Sequence, residues 1–322
     1  MRWLALAALV ALPASARAAS CYDESSLPAV VNLEAYKGVL RAYLGGRLYD
    51  GEHGLFPTLA LVEGEGWRFD GVSRCKWGAC GYLPEARHQL ELCAARIPPI
   101  ALSAREAKKL NPELPAGGKL VQRVGACVEV EGVLWFGIAF EEGRGIGGVG
   151  RFDPAKKKLE IRRPALLRDA AVTSIAHDGA RLWLGTESIR GCIGTTPAEG
   201  LVSYDWRRDE AKSFRGTDGG PCGFLIHALS WRNGGLWAAT DLGLSRWDAS
   251  SGAWEHLVAE SGPEQPAVRK VSCEALYLQL LSAASTAPGA TLGYGSARDQ
   301  LVHALRAFRP AFAARHLAEE AE

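Results

Sequence analysis

Three short segments of this chain follow one pattern, and that pattern limits the folds open to it. Leu134-Trp135-Phe136-Gly137, Leu182-Trp183-Leu184-Gly185 and Leu236-Trp237-Ala238-Ala239 stand 48 and 54 residues apart. Each follows an alternating or apolar segment and a turn: Ala126–Val130 with Glu131-Gly132, Val172–Ala176 with His177-Asp178-Gly179, and Ile226–Ser230 with Asn233-Gly234-Gly235. Each precedes a Gly-led strand ending in aromatic-Asp, at Phe152-Asp153, Tyr204-Asp205 and Trp247-Asp248. A turn and a fourth short strand complete each unit, at Lys158–Ile161, Ala211–Phe214 and Trp254–Leu257. Four short antiparallel strands make a twisted sheet that cannot bury both faces alone. Stacked radially, each sheet covers its neighbour, and at a period of about 40–50 residues this is a β-propeller. The spacing predicts that Trp135, Trp183 and Trp237 are structural and fill the seams between sheets.

Composition agrees. The chain has 322 residues, 48 % apolar and 23 % charged, which is the profile of a globular protein. Its 37 Gly and 10 Trp against one Met favour a turn-rich β protein over a bundle. A net charge of +1 gives no electrostatic case for nucleic acid as a partner. Residues 19–262 are long enough for about five irregular four-stranded blades, two of them from residues 30–117. Thr58–Val62 and Gly64–Asp70 read there as a hairpin and Ala104–Leu110 as a short helix. The alternative is a partial propeller completed by a non-blade cap. The expected organisation is therefore a signal peptide at 1–18 and an N-terminal segment of degenerate blades or cap at 19–117. Blade repeats follow at 118–262 and a helical segment at 263–322. In that last segment Val268, Val271, Ala275, Leu278 and Leu281 keep helical spacing, as do Leu301, Leu305, Phe308 and Phe312, predicting a pair of α-helices.

The first residues read as an export address. Met1-Arg2 is a short basic start, Trp3–Leu12 an apolar run too short to span a bilayer, and Ala16-Arg17-Ala18 a small-x-small cleavage site. Ala18-Ala19-Ser20-Cys21 resembles a lipobox. Ala at the usual Leu position, and the distance of Cys21 from the apolar run, argue against a lipid anchor. No later stretch is apolar and long enough to cross a membrane as a helix. The expected location is periplasmic or extracellular. Eight cysteines in an exported chain favour disulfides. Without CxxC pairs or zinc-finger His spacing, no metal and no cofactor are expected.

Residues 172–205 and 227–254 resemble two-component regulator propeller repeats, over roughly residues 120–260. That family builds bacterial sensor ectodomains, often joined to a membrane helix and a histidine kinase. The resemblance implies a propeller and a binding role. This chain carries no kinase segment and two of its repeats carry insertions, which leaves a free-standing binding protein.

No catalytic motif survives its context. Gly143–Gly148 matches GxGxxG, but Val149–Asp153 after it reads as a strand where a nucleotide site needs a helix. Ser296 lacks a GxSxG setting, and no HExxH occurs. The long second-to-third-strand loops at 138–149 and 186–200 should open on one face, beside the connection near Asp218 and Cys222. Glu141, Glu142, Arg144, Glu187, Arg190, Asp218 and Asp241 are the candidate ligand-binding residues of that face. The same geometry predicts a Cys192–Cys222 disulfide, closing about thirty residues for roughly 3 kcal/mol. Cys75–Cys80 is expected as a local bridge. The leading expectation is an exported, non-enzymatic scaffold presenting this face to a protein, peptide or glycan. The alternatives are a propeller lyase or hydrolase, with a channel lined by first-strand residues such as Thr173, Ser174 and His227, or a sensor accessory to a separate histidine kinase.

Overall fold

The computed structural model describes residues 30–36, 39–44, 48–50, 53–62, 66–76, 93–113, 115, 118–139, 146–188, 199–214, 219–223, 226–260, 267–286, 291–292, 295–296, 302, 305–306 and 310–317. The candidate signal peptide and Cys21 lie outside these residues.

Four antiparallel sheets hold most of the described chain. The first is made of β1 (Val30–Tyr36), β2 (Val39–Leu44), β3 (Leu48–Asp50), β4 (His53–Val62) and β5 (Gly66–Lys76). β5 occupies one edge of β4 along its whole length, so β2 and β3 share the other edge as one broken strand. The sheet is thus a four-stranded meander, and β4–β5 contains the hairpin expected around Thr58–Asp70. The second sheet has β6 (Ile100–Ala101), β7 (Val121–Val130), β8 (Val133–Ala139), β9 (Val149–Asp153) and β10 (Lys158–Arg162). Helix α1 (Ala104–Leu110) lies between β6 and β7, where the sequence predicts it. Ser103 and Glu106 cap it reciprocally, each satisfying the other's backbone N–H. The third sheet runs β11 (Ala170–His177), β12 (Leu182–Ser188), β13 (Leu201–Asp205) and β14 (Glu210–Ser213). The fourth runs β15 (Ile226–Arg232), β16 (Gly235–Thr240), β17 (Gly243–Asp248), β18 (Trp254–Glu260) and β19 (Ala267–Val271).

The repeat explains how the sheets stack. Trp135 of β8 meets Trp206 of the third sheet edge to face at 5.1 Å, and Trp183 of β12 meets Trp247 of the fourth at 5.1 Å. Trp237 of β16 meets Trp67 of the first sheet at 5.2 Å. The sheets therefore follow one another as second, third, fourth and first, with the N-terminal sheet beside the last. This is the propeller arrangement, and the three tryptophans fill its seams as the spacing predicts. Arg151 lies over Trp135 and Trp206, and Arg246 over Trp237, each arginine directly cross-strand from its tryptophan.

The small residue two places after each tryptophan has an equally definite cause. A side chain on Gly137 would run into Val172, and one on Gly185 into Ser174 of its own sheet and into Ile226; Val172 and Ile226 each come from the inner strand of the following sheet. Ala239 takes the same place in the fourth sheet and is fully buried against the first. Every inner strand also carries one extra residue, at Val31, Gly125, Thr173 and His227. Such a bulge bends the strand and raises its local twist.

The two ends of this stack are finished differently. Leu134, Phe136 and Ile138 on the free face of the second sheet pack under Ile97 and Ile100. The Cys93–Cys127 disulfide ties that covering segment down, with Cα atoms 6.1 Å apart. On the first sheet, register places Arg41 where the other sheets have Trp, and Tyr43 where they have Gly or Ala. Arg41 there pairs with Asp70 at 2.6 Å. The described residues account for four of the about five blades expected.

The C-terminal segment departs from its expected start. Val268 and Val271 belong to strand β19, paired with β18, not to a helix. The open edge of β18 offers a ladder of hydrogen bonds that outweighs the helical spacing. Ser272 then caps α2 (Cys273–Thr286), its Oγ accepting from the Ala275 N–H at 3.1 Å. Two short strands, β20 (Thr291–Leu292) and β21 (Gly295–Ser296), and helix α3 (Pro310–His316) follow. Leu276, Tyr277 and Leu281 of α2 and Phe312 of α3 share a buried cluster with Leu242 and Val258 of the fourth sheet. No described helix is long and apolar enough to cross a membrane.

Candidate functional site

In a meander of four strands, the loop between the second and third strands opens on the same face as the link to the next sheet. Among the described residues, that face here receives 146–148, 199–200 and Asp241-Leu242, together with 163–169, Phe214 and 219–223 of the links. Of the residues predicted for it, Glu141, Glu142, Arg144, Arg190 and Asp218 lie outside the described residues, as does Cys192. Glu187 stands in β12 opposite Ala171, with its side chain outside the description.

The loop ends are held firmly. Arg163 donates to Gln122 Oε1 at 2.9 Å, to the Gly147 carbonyl at 3.1 Å and to the Ile146 carbonyl. Gln122 Nε2 donates to the same Ile146 carbonyl at 2.9 Å. The Gly147 N–H reaches the Arg168 carbonyl at 2.9 Å, and a side chain at Gly147 would strike the Leu167 and Ala170 carbonyls. The second half of the GxGxxG match is therefore a re-entry point into β9, and its glycine is required by close backbone packing. On the third sheet, Thr186 donates its N–H and Oγ1 to the Gly200 carbonyl, at 2.9 and 3.0 Å. Thr240 Oγ1 makes the same bond to Gly243 at 3.0 Å.

Charge gathers beside these roots. Burial presses the Arg163 guanidinium below its ordinary value, and nearby Arg168 adds to this while Glu106 opposes it. An arginine remains a cation throughout the physiological range. The Ser103 hydroxyl is the main cause that holds the Glu106 carboxyl low.

Asp241 corrects the expectation of an open acidic loop. It is fully buried, and a Cβ on Gly223 would come within 2.5 Å of its Oδ1. Leu242 beside it anchors α2, so the C-terminal helices seal this part of the face. Cys222 corrects the predicted bridge as well. It is bonded to Cys273 at the start of α2, Cα atoms 5.5 Å apart, and not to Cys192. The helix lands on the link carrying Cys222, which puts the nearer partner 51 residues away in sequence. Cys75 stands in β5 opposite Gly54, but its side chain and Cys80 lie outside the described residues.

The Cys222 N–H is received by Ser245 Oγ at 3.1 Å and His256 Nδ1 at 3.3 Å, and these two atoms are 3.0 Å apart. Ser245 is fully buried, so this Ser–His pair holds the backbone of Cys222 and presents no nucleophile to solvent. Ser174 is not a channel residue either. Its Oγ lies over Gly185 beside Ile226, in the seam between the third and fourth sheets. Thr173, the bulged residue, turns its hydroxyl to the Gly185 carbonyl at 3.5 Å. Nothing in the sequence signals the bulges, because an extra residue in one strand is visible only against its partner.

The repeat's acids are structural. Asp153, Asp205 and Asp248 each accept backbone N–H groups of the turn that follows. Asp178 accepts from the Ala180 and Arg181 N–H groups and from Trp183 Nε1 at 2.9 Å. Burial alone would raise its carboxyl, but these bonds and the Arg181 charge together hold it below the usual range.

No family model matches the chain, and no curated protein does. Among solved structures it is similar to the extracellular domain of the hybrid two-component system BT4673 from B. thetaiotaomicron. The identity is 14 % and the TM-score 0.33, covering 74 % of this chain and 22 % of that one. This chain thus spans about a fifth of that domain. It is also similar to CoXyl43, a GH43 β-xylosidase/α-arabinofuranosidase from a compost microbial metagenome. There the identity is 10 % and the TM-score 0.29, covering 74 % of this chain and 84 % of that one. At this overlap neither likeness bears on what the chain binds.

Proposed function

We propose that this chain is an exported, non-enzymatic propeller scaffold whose loop-bearing face binds a protein, peptide or glycan. One observation carries the reading. The described ends of the second-to-third-strand loops in the second and third sheets are pinned by Arg163, Gln122, Thr186 and Gly200, which supports long loops carried on adjacent blades. A rigid frame carrying long loops is the usual build of a recognition surface, because little ordering entropy is lost at the frame. Glu141, Glu142, Arg144, Glu187, Arg190 and Asp218 supply charge of both signs to such a surface. The two disulfides among the described residues suit an oxidising compartment.

The test is a binding screen of the mature chain against glycan and peptide arrays, followed by alanine variants. The combined Glu141→Ala, Glu142→Ala, Arg144→Ala and Arg190→Ala variant should lose binding at least about tenfold, or about 1.4 kcal/mol, with an unchanged melting temperature. Unchanged affinity in that variant would remove the face from consideration. Turnover of a polysaccharide or ester by the wild type would replace the scaffold reading with the enzymatic one.

A further inference from the structure

The Cys222–Cys273 bridge has a third neighbour that a purely structural disulfide does not need. An imidazole nitrogen of His256 and the two sulfur atoms all lie within 4.8 Å of one another. The three come from separate parts of the fold: the link before β15, strand β18 and the start of α2. Ser245 Oγ sits 3.0 Å from His256 Nδ1 and fixes the orientation of the ring. Cys222, His256 and Ser245 are buried and Cys273 is half-buried, so the group is set into the fold at the start of α2.

We infer that, in its reduced form, Cys222, Cys273 and His256 form a binding site for one thiophilic divalent cation of the zinc class. Two thiolates and one imidazole give three ligands of the kind such a cation prefers, with water completing a tetrahedron. The chemistry balances simply. A dithiol reductant passes two electrons and two protons to the S–S bond, giving two thiols and a disulfide on the reductant. The cation then displaces both thiol protons and keeps its own oxidation state. Disulfide and metal are thus alternative fastenings at one place, the first joining α2 to the link before β15 and the second adding His256 of the fourth sheet.

The experiment reduces the folded full-length chain with a dithiol, removes the reductant without air and titrates Co(II) as the optical probe. The expected result is a sulfur-to-cobalt charge-transfer band that saturates at one Co(II) per chain and bleaches when Zn(II) is added. Cys222→Ser and Cys273→Ser should abolish it. His256→Ala should weaken binding by no less than the ~10-fold typical of losing even an outer partner. The Cys93→Ser/Cys127→Ser variant should keep it. The inference is overturned if the band is absent, if it survives in Cys222→Ser, or if the Cys222–Cys273 bond withstands the dithiol while circular dichroism shows the chain folded.

Discussion

His177 shows how one side chain in a turn can carry a measurable pH signature. Its Nδ1 accepts the Gly179 N–H at 3.0 Å, which only the form unprotonated at that nitrogen can do. The ring also stacks on Trp135 at 5.6 Å. Burial, against the weaker pull of Asp178 and Glu131, lowers its pKa from 6.5. In the unfolded chain the ring takes up a proton near 6.5, while the folded chain takes it up only at lower pH. The stability that His177 contributes is therefore full above about pH 6.5 and is lost as the pH falls through the depressed folded value. Urea unfolding of the wild type and of His177→Gln between pH 8 and 5 should show the wild-type advantage shrinking below about pH 6.5. A difference that stays constant across that range would refute the assignment.

At the scale of the element, the seam between two sheets is a socket of fixed size. The Leu-Trp-x-Gly segment gives one tryptophan to an aromatic of the next sheet and leaves one recess for its inner strand. Gly185→Val fills the recess that Ile226 occupies, and overpacking of this kind costs about 1–3 kcal/mol or more. The lowered midpoint should be plain in denaturant titration, whereas Gly179→Ala, with open space around it, pays only for its φ of +93°. Equal losses in the two variants would show that the seam does not depend on the recess. This motif was readable from sequence because its cause is local: a strand, a turn and a repeated side-chain order. The hairpin at β4–β5 and helix α1 were legible for the same reason. What escaped was set by distant partners. Val268 and Val271 became a strand because β18 had a free edge, and Asp241 was buried because α2 settled on Leu242.

Across the whole molecule, one apolar cluster and one disulfide among the described residues attach the C-terminal helices. The Cys222–Cys273 pair spans 51 residues, a closure that contributes about 4 kcal/mol in the chain-entropy view. In the double variant Cys222→Ser/Cys273→Ser, hydrogen exchange should quicken in α2 and the melting temperature should fall. Protection in β11 and β12, packed between the second and fourth sheets, should persist. Uniform loosening of every sheet would show instead that the bond supports the whole propeller.

The substitution of Arg41 and Tyr43 into the first sheet bears on solubility. A module that offers a recess on one side and a strand on the other invites another copy of itself, and such head-to-tail contacts grow into filaments unless they close. Here the recess is filled by a tyrosine and the tryptophan is exchanged for a cation held by Asp70. At the opposite end Ile97 and Ile100 already occupy the greasy side of the second sheet. Neither end of the stack therefore repeats the seam: one carries a charge pair and a buried tyrosine, the other a covalently pinned apolar cover.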